Sequence, residues 1–127
     1  MKKQIKKNVT LISRKDISSV FKDGRVFLSY PFRLIWTERN EKQSIKVLIS
    51  IPKKNFKKAV ERNLIKRQLK EILHKKVINT YLEEKSINLV ITYIGDQKID
   101  FNDLENKMII TFRKFILKHF SNEEKTN

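Results

Sequence analysis

Between residue 57 and about residue 80, apolar side chains recur at helical spacing, with Ile65, Leu69, Ile72 and Leu73 on one stripe. Runs of a different period flank this segment. Ser44 to Ile51 is rich in β-branched residues and stops at Pro52, which cannot donate to a ladder, while Ile87 to Ile94 reads as a buried strand ending at Gly95-Asp96. A long amphipathic helix held between two strand-length runs needs a sheet to bury its stripe, so the chain is expected to be mixed in class.

The remaining segments extend the pattern. Ile17, Val20 and Phe21 recur at helical spacing between Lys15 and Lys22, and Gly24 follows as a helix stop. Val26 to Leu28 and Phe32 to Thr37 read as strands broken near Pro31, with a polar turn over 38–42. Asp100 is placed to cap a last helix, with Asp103 three residues on and a wide stripe of Phe101, Leu104, Met108, Phe112, Phe115 and Ile116. Asn55 is a possible cap for the middle helix. The expected fold is a single-domain α+β sandwich of about four strands in the order α-β-β-β-α-β-α, with helices covering one antiparallel-rich sheet. At 127 residues and 39% hydrophobic content, one core spans the chain, with residues 1–8 read as a flexible basic tail and 121–127 as a polar C-terminal tail.

Charge is unevenly placed. Against 29 Lys and Arg stand 14 Asp and Glu, for a net +15, and residues 1–80 carry +16 of it while the last 47 residues carry −1. The densest part is 53–80, with 10 basic and 2 acidic side chains. On a helix, Arg62, Lys66 and Lys70 form one row, and Asn63, Arg67 and His74 the next, with the apolar stripe toward the other side. Like charges at i, i+4 work against an isolated helix by a few tenths of a kcal/mol per pair, so an anionic partner is implied, although many basic helix faces are merely solvated. Lys53, Lys54, Lys57 and Lys58 at the helix entry, where backbone N–H groups are free, strengthen the case for phosphate. Nucleic acid is the first partner to consider.

The string Ser50-Ile51-Pro52-Lys53-Lys54-Asn55-Phe56-Lys57-Lys58-Ala59-Val60-Glu61-Arg62-Asn63-Leu64-Ile65-Lys66-Arg67-Gln68-Leu69-Lys70-Glu71 resembles the signature of the bacterial ribonuclease P protein subunit. The similarity to that family runs through nearly the whole chain. It implies an α-β sandwich with a left-handed crossover from the third strand through the basic helix to the fourth, against the usual right-handed rule. It also implies a subunit that binds a catalytic RNA and the single-stranded 5′ leader of precursor tRNA, assisting endonucleolytic removal of the leader. Lys53, Lys54, Arg62, Asn63, Lys66, Arg67 and Lys70 match the RNA-subunit surface. Leader contacts fall to a cleft between the sheet and the first helix, where Phe21 matches an aromatic contact and Ile17 stands in place of a usual Phe. Phe32 and Trp36 are further ring-bearing candidates, and Phe27 and Tyr30 are candidates for the cleft floor. Family patterns also differ at Leu64 and at a loop Gly replaced near Phe56. By the same resemblance, Mg²⁺ serves the holoenzyme and is held mainly by RNA, with no catalytic or metal-ligating residue on this chain, no organic cofactor and no membrane partner.

Other chemistries are weaker on the residues. His74 and His119, the only histidines, lie 45 residues apart on different expected helices, and surface histidines are common on basic helices. Asp96, Asp100 and Asp103 could hold a cation, yet capping explains the latter two. Cys is absent, which removes thiolate nucleophiles, disulfides and Cys-based zinc sites. No apolar stretch approaches the roughly 20 residues of a membrane span, and no signal-peptide core follows the basic start, so a cytoplasmic location is expected. The alternatives are a ribosomal-type structural RNA-binding protein and a basic protein of the membrane surface.

Overall fold

The computed structural model describes residues 8–11, 14–39, 44–83 and 85–120. A five-stranded mixed sheet has the order β1-β4-β5-β3-β2, with strands β1 (Asn8–Leu11), β2 (Arg25–Ser29), β3 (Phe32–Glu38), β4 (Ser44–Ser50) and β5 (Ile87–Tyr93). Helix α1 spans Arg14–Asp23, α2 spans Ala59–Ile72, α3 spans Ile78–Tyr81 and α4 spans Phe101–Phe120, with a π-helical segment, Leu73–Val77, joining α2 to α3. The four expected strands are present, and β1 is an addition that the sequence pattern did not reveal. Asn8, expected in a tail, begins that strand opposite Ser44. The expected tails over 1–7 and 121–127 lie outside the described residues. Two strand pairs are parallel (β1 with β4, β4 with β5) and two antiparallel, so the sheet is evenly mixed, not antiparallel-rich.

Strand alternation sorts the residues onto two faces. Phe32, Leu34 and Trp36 of β3 share one face with Phe27, with Ile45, Val47 and Ile49 of β4, and with Ile87, Leu89, Ile91 and Tyr93 of β5; they form the main core with Ile65, Leu69 and Ile72 of α2 and Leu104, Met108, Phe112 and Phe115 of α4. On the opposite face α1 presses Val20 and Ile17 onto Ile35, Val90 and Leu48. The core is therefore thick on one side and only one helix deep on the other.

The π segment keeps the long helix in register with this core. Had the α-helix continued, Val77 and Ile78 would lie roughly 100–200° round from the Ile65–Leu69–Ile72 stripe at 100° per residue. Five-residue hydrogen bonding, seen where Ile78 N–H donates to Leu73 O, turns the chain more slowly and brings both side chains inward, where Val77 is fully buried and Ile78 nearly so. Asp100 caps α4 as expected: its Oδ1 accepts from Asp103 N–H at 2.9 Å. Asn55 does not cap α2. Lys58 takes that position without a side-chain bond, and Asn55 Nδ2 donates to Gly95 O at 3.3 Å.

The handedness of the β4–α2–β5 unit follows from two backbone hydrogen bonds beyond the ladder ends. Ile94 N–H donates to Pro31 O at 2.7 Å and Arg39 N–H to Ser86 O at 2.8 Å, so Asn88, Val90 and Thr92 direct their backbone groups at β3. Their side chains face α1, with Val90 beneath Val20. When an L-residue in an upward strand points its side chain at the viewer, its N–H and C=O point right. Viewed from α1, then, β3 lies to the right of β5; viewed from α2, β4 lies to its right. The chain leaves β4, crosses over on the viewer's side through α2, and enters β5 on the left. The crossover is left-handed, the rare sense.

Candidate nucleic-acid interface

Chain leaving β4 makes a tight loop over 51–58, anchored by two buried side chains, Ile51 and Phe56, whose exposures are 8% and 5%. Asn55 and Phe56 N–H groups both donate to Pro52 O, at 3.3 and 3.4 Å, which turns the chain without a glycine. Phe56 packs its ring 5.9 Å from that of Tyr93. With the two apolar ends pinned, Lys53, Lys54, Lys57 and Lys58 are left exposed around the start of α2.

Arg62 completes this arrangement from one turn inside the helix. Its Nη1 donates to Phe56 O at 2.7 Å and to Lys57 O at 2.9 Å, so the guanidinium ties the loop to α2. Arg62 and Lys66 are partly buried, while Asn63, Arg67, Lys70 and His74 are exposed along the outer ridge. Val60 heads that ridge at 78% exposure. All seven residues matched to an RNA-subunit surface thus lie on one continuous region, and one of them has a positioning task that the sequence did not disclose. Hydrogen bonds to backbone carbonyls are invisible to charge counting.

The face beneath α1 forms a second region. Cross-strand registers place Leu28, Arg33, Thr92 and Ser50 in one row, Val26, Ile35, Val90 and Leu48 in the next, and Thr37, Asn88 and Lys46 in a third. The middle row is the apolar seat of α1; the rows on either side are polar apart from Leu28 at the β2 edge. In the third row Asn88 accepts from Arg39 Nη1 at 2.9 Å. Phe21 on α1 and Val26 and Leu28 on the edge strand β2 remain 52%, 56% and 63% exposed. Arg33 Nε is buried without a hydrogen-bond partner among the described residues. Exposed apolar side chains beside the partly exposed cation of Arg33 suit unstacked bases and their phosphates.

Two assignments to a leader surface are corrected here. Phe32 and Trp36 are 0% and 2% exposed on the opposite face of the sheet. Phe32 packs edge-on to Tyr93 at 5.9 Å, and Trp36 packs against Phe115 at 5.5 Å and Phe120 at 5.1 Å, so neither ring can stack on a base. Phe27, a floor candidate, also faces the core, 5.7 Å from Phe115. Ile17 is partly buried between α1 and the sheet. Arg33, Val26 and Leu28 were missed, yet the signal was present: in a strand with Phe32, Leu34 and Trp36 on the buried side, Arg33 must face the other way.

The histidines do not form one centre. His119 lies among Phe27, Trp36 and Phe115, and burial, then Lys118 and Arg25, push its pKa down. His74 projects outward from the π segment. Among the described residues no three His, Cys, Asp or Glu side chains group to hold a metal ion, and no helix is long and apolar enough to cross a membrane.

A family model described as Ribonuclease P matches residues 5–116. The chain belongs to the ribonuclease P protein family. The ribonuclease P protein component of Porphyromonas gingivalis is 33% identical over 110 residues, covering 82% of this chain and 80% of that protein. That of Finegoldia magna is 29% identical over 109 residues, covering 85% and 91%. Among solved structures, the RNase P protein of Staphylococcus aureus superposes with a TM-score of 0.70 at 19% identity, covering 84% of this chain and 94% of that one. The RNase P protein of Thermotoga maritima gives 0.67 at 21% identity, covering 82% and 96%. These likenesses carry the ribonuclease P fold, and the family places the chain in an endoribonuclease complex of tRNA processing.

Proposed function

We propose that this protein is the RNA-binding subunit of a ribonuclease P ribonucleoprotein, holding the catalytic RNA on the 51–58 loop and α2 while the face beneath α1 receives the 5′ leader of precursor tRNA. The observation that carries the reading is the Arg62 clamp, which fixes four exposed lysines around the open N-terminus of α2. Such an array has no use within the fold, since it concentrates like charge, and it matches the phosphate backbone of a structured RNA. The chain's part in the reaction is electrostatic and positional: it neutralises phosphates near the cleavage site and orients the substrate. Divalent metal needed for phosphodiester hydrolysis is assigned to RNA phosphates, in the cytoplasm.

The test is cleavage of precursor tRNA at low Mg²⁺ by protein, by RNA subunit, and by both. Cleavage is expected only when both are present; cleavage by RNA-free protein would overturn the reading. Within the same assay, Phe21→Ala should reduce affinity for leader-bearing precursor by about fivefold to tenfold, the scale of one lost base stack, and leave mature tRNA unaffected. An equal loss for both tRNAs would contradict a leader role for the α1 face.

A further inference from the structure

Where β3 begins and β5 ends, beside the basic loop, lies a cleft of about 340 Å³ lined by Tyr30, Pro31, Tyr93, Asp96, Gln97, Ile99 and Lys107. It lies outside the 51–58 loop, α2 and the face beneath α1, and Tyr30, expected on the floor of the leader cleft, lines it instead. Its walls are fixed by three hydrogen bonds: Ile94 N–H to Pro31 O at 2.7 Å, Tyr93 OH to Gln97 O at 2.6 Å, and Asn55 Nδ2 to Gly95 O at 3.3 Å. Gly95 closes the back so tightly that a Cβ there would lie 3.1 Å from the Tyr93 ring and 3.3 Å from Pro31 Cβ. The third bond and the Phe56–Tyr93 ring contact join this wall directly to the lysine-bearing loop.

The lining has the parts of a nucleotide site. Tyr30, 71% exposed at the hairpin tip, offers a ring face that no residue covers enough to hide. Asp96 supplies acceptors only, and Lys107 supplies a cation for a phosphate. A carboxylate beside RNA is unfavourable unless it is matched to donors, so its presence selects the base. Guanine alone presents two adjacent donors, N1–H and the 2-amino group, to the two carboxylate oxygens. Adenine and cytosine place a ring acceptor beside their amine, and uracil flanks its single N–H with carbonyls. The volume is at the small end of the roughly 300–1,000 Å³ typical of ligand clefts, which suits one nucleotide.

We propose that this cleft captures one unpaired guanine nucleotide of the RNA seated on the neighbouring loop, with Tyr30 stacking on the base, Asp96 reading its Watson–Crick edge and Lys107 meeting its phosphate. The inference rests on the RNA-subunit reading above. Stacking on an aromatic face with hydrogen bonds to an unpaired base is the ordinary means of reading RNA sequence.

The test is an NMR titration of the full chain with guanosine 5′-monophosphate, the adenosine, cytidine and uridine monophosphates, and inorganic phosphate. Amide signals of residues 94–99 and of Lys107 should shift most with the guanine nucleotide, with about tenfold tighter binding than for the other three. Asp96→Asn should abolish that preference and Tyr30→Ala should weaken all four. Equal shifts from every nucleotide, shifts as large from phosphate alone, or a preference that survives Asp96→Asn would overturn the proposal. Binding of the RNA subunit by the unaltered protein is measured alongside. Its absence would sink the RNA-subunit reading and this inference with it, whereas RNA binding without a guanine response at residues 94–99 would sink the cleft alone.

Discussion

Replacing Gly24 with alanine should cost about 3 kcal/mol and lower the thermal midpoint by roughly 10 °C. The glycine ends α1, donating its N–H to Val20 O at 2.7 Å. A Cβ at this position would lie 2.3 Å from that same oxygen, 2.7 Å from Ile35 Cγ2 and 3.2 Å from Trp36 O. Two of these three atoms are backbone and cannot swing aside. Its φ is not positive, so the requirement is for space and not for a left-handed conformation. Relief requires α1 to lift from Ile35 and Val90, which opens the thin side of the sandwich and displaces Phe21. The variant should therefore lose discrimination for leader-bearing substrate at temperatures where it is still folded. Circular dichroism melts against Asp23→Ala, an exposed neighbour, check the stability claim; a midpoint within about 2 °C of the parent would refute it.

Gly24 also illustrates what the sequence disclosed and what it did not. Its place at the end of a helix was legible from composition and period, but the reason for glycine there depends on Ile35 and Trp36 of β3, 11 and 12 residues further on. The same division recurs elsewhere. The Asp100 cap and the Leu104, Met108, Phe112 and Phe115 stripe were readable because both partners are local in sequence. Strand β1 was not, because Asn8 to Leu11 has meaning only through its register with Ser44 to Val47. Period alone also suggested one uniform helix to residue 80, although Val77 and Ile78, off the stripe of a regular helix, already implied a slower turn. At the site, the basic residues were legible through a specific string, whereas the face assignment of Phe32 and Trp36 was not. An aromatic ring on a strand serves a core or a ligand equally well until the covering helix is placed, and α4 supplies that cover.

Arg62→Ala should impair assembly with the RNA subunit more than Arg67→Ala, and the salt dependence should show why. Arg67 is exposed on the outer ridge of α2, so under the proposed RNA-subunit reading its loss removes one phosphate contact. Affinity should fall by about fivefold to tenfold, and the slope of log affinity against log salt should flatten by roughly one unit. Arg62 differs in that its Nη1 is engaged with Phe56 O and Lys57 O. Removing it releases two charge-assisted bonds and with them the geometry of Lys53, Lys54, Lys57 and Lys58. Several lysines then meet phosphates less often, so the slope should flatten by about two units or more and affinity should fall by roughly 30-fold to 100-fold. Global stability should fall by only about 1–2 kcal/mol, since both bonds are made by one partly exposed side chain at the edge of one loop. Arg62→Lys is the informative partner variant. It keeps the charge but replaces a planar guanidinium, whose Nη1 meets both carbonyls, with a flexible ammonium that is held less firmly in that place, so recovery should be partial. Equal slopes for Arg62→Ala and Arg67→Ala would show that Arg62 acts as one more phosphate contact, and full recovery by lysine would show that charge at this position suffices without the clamp.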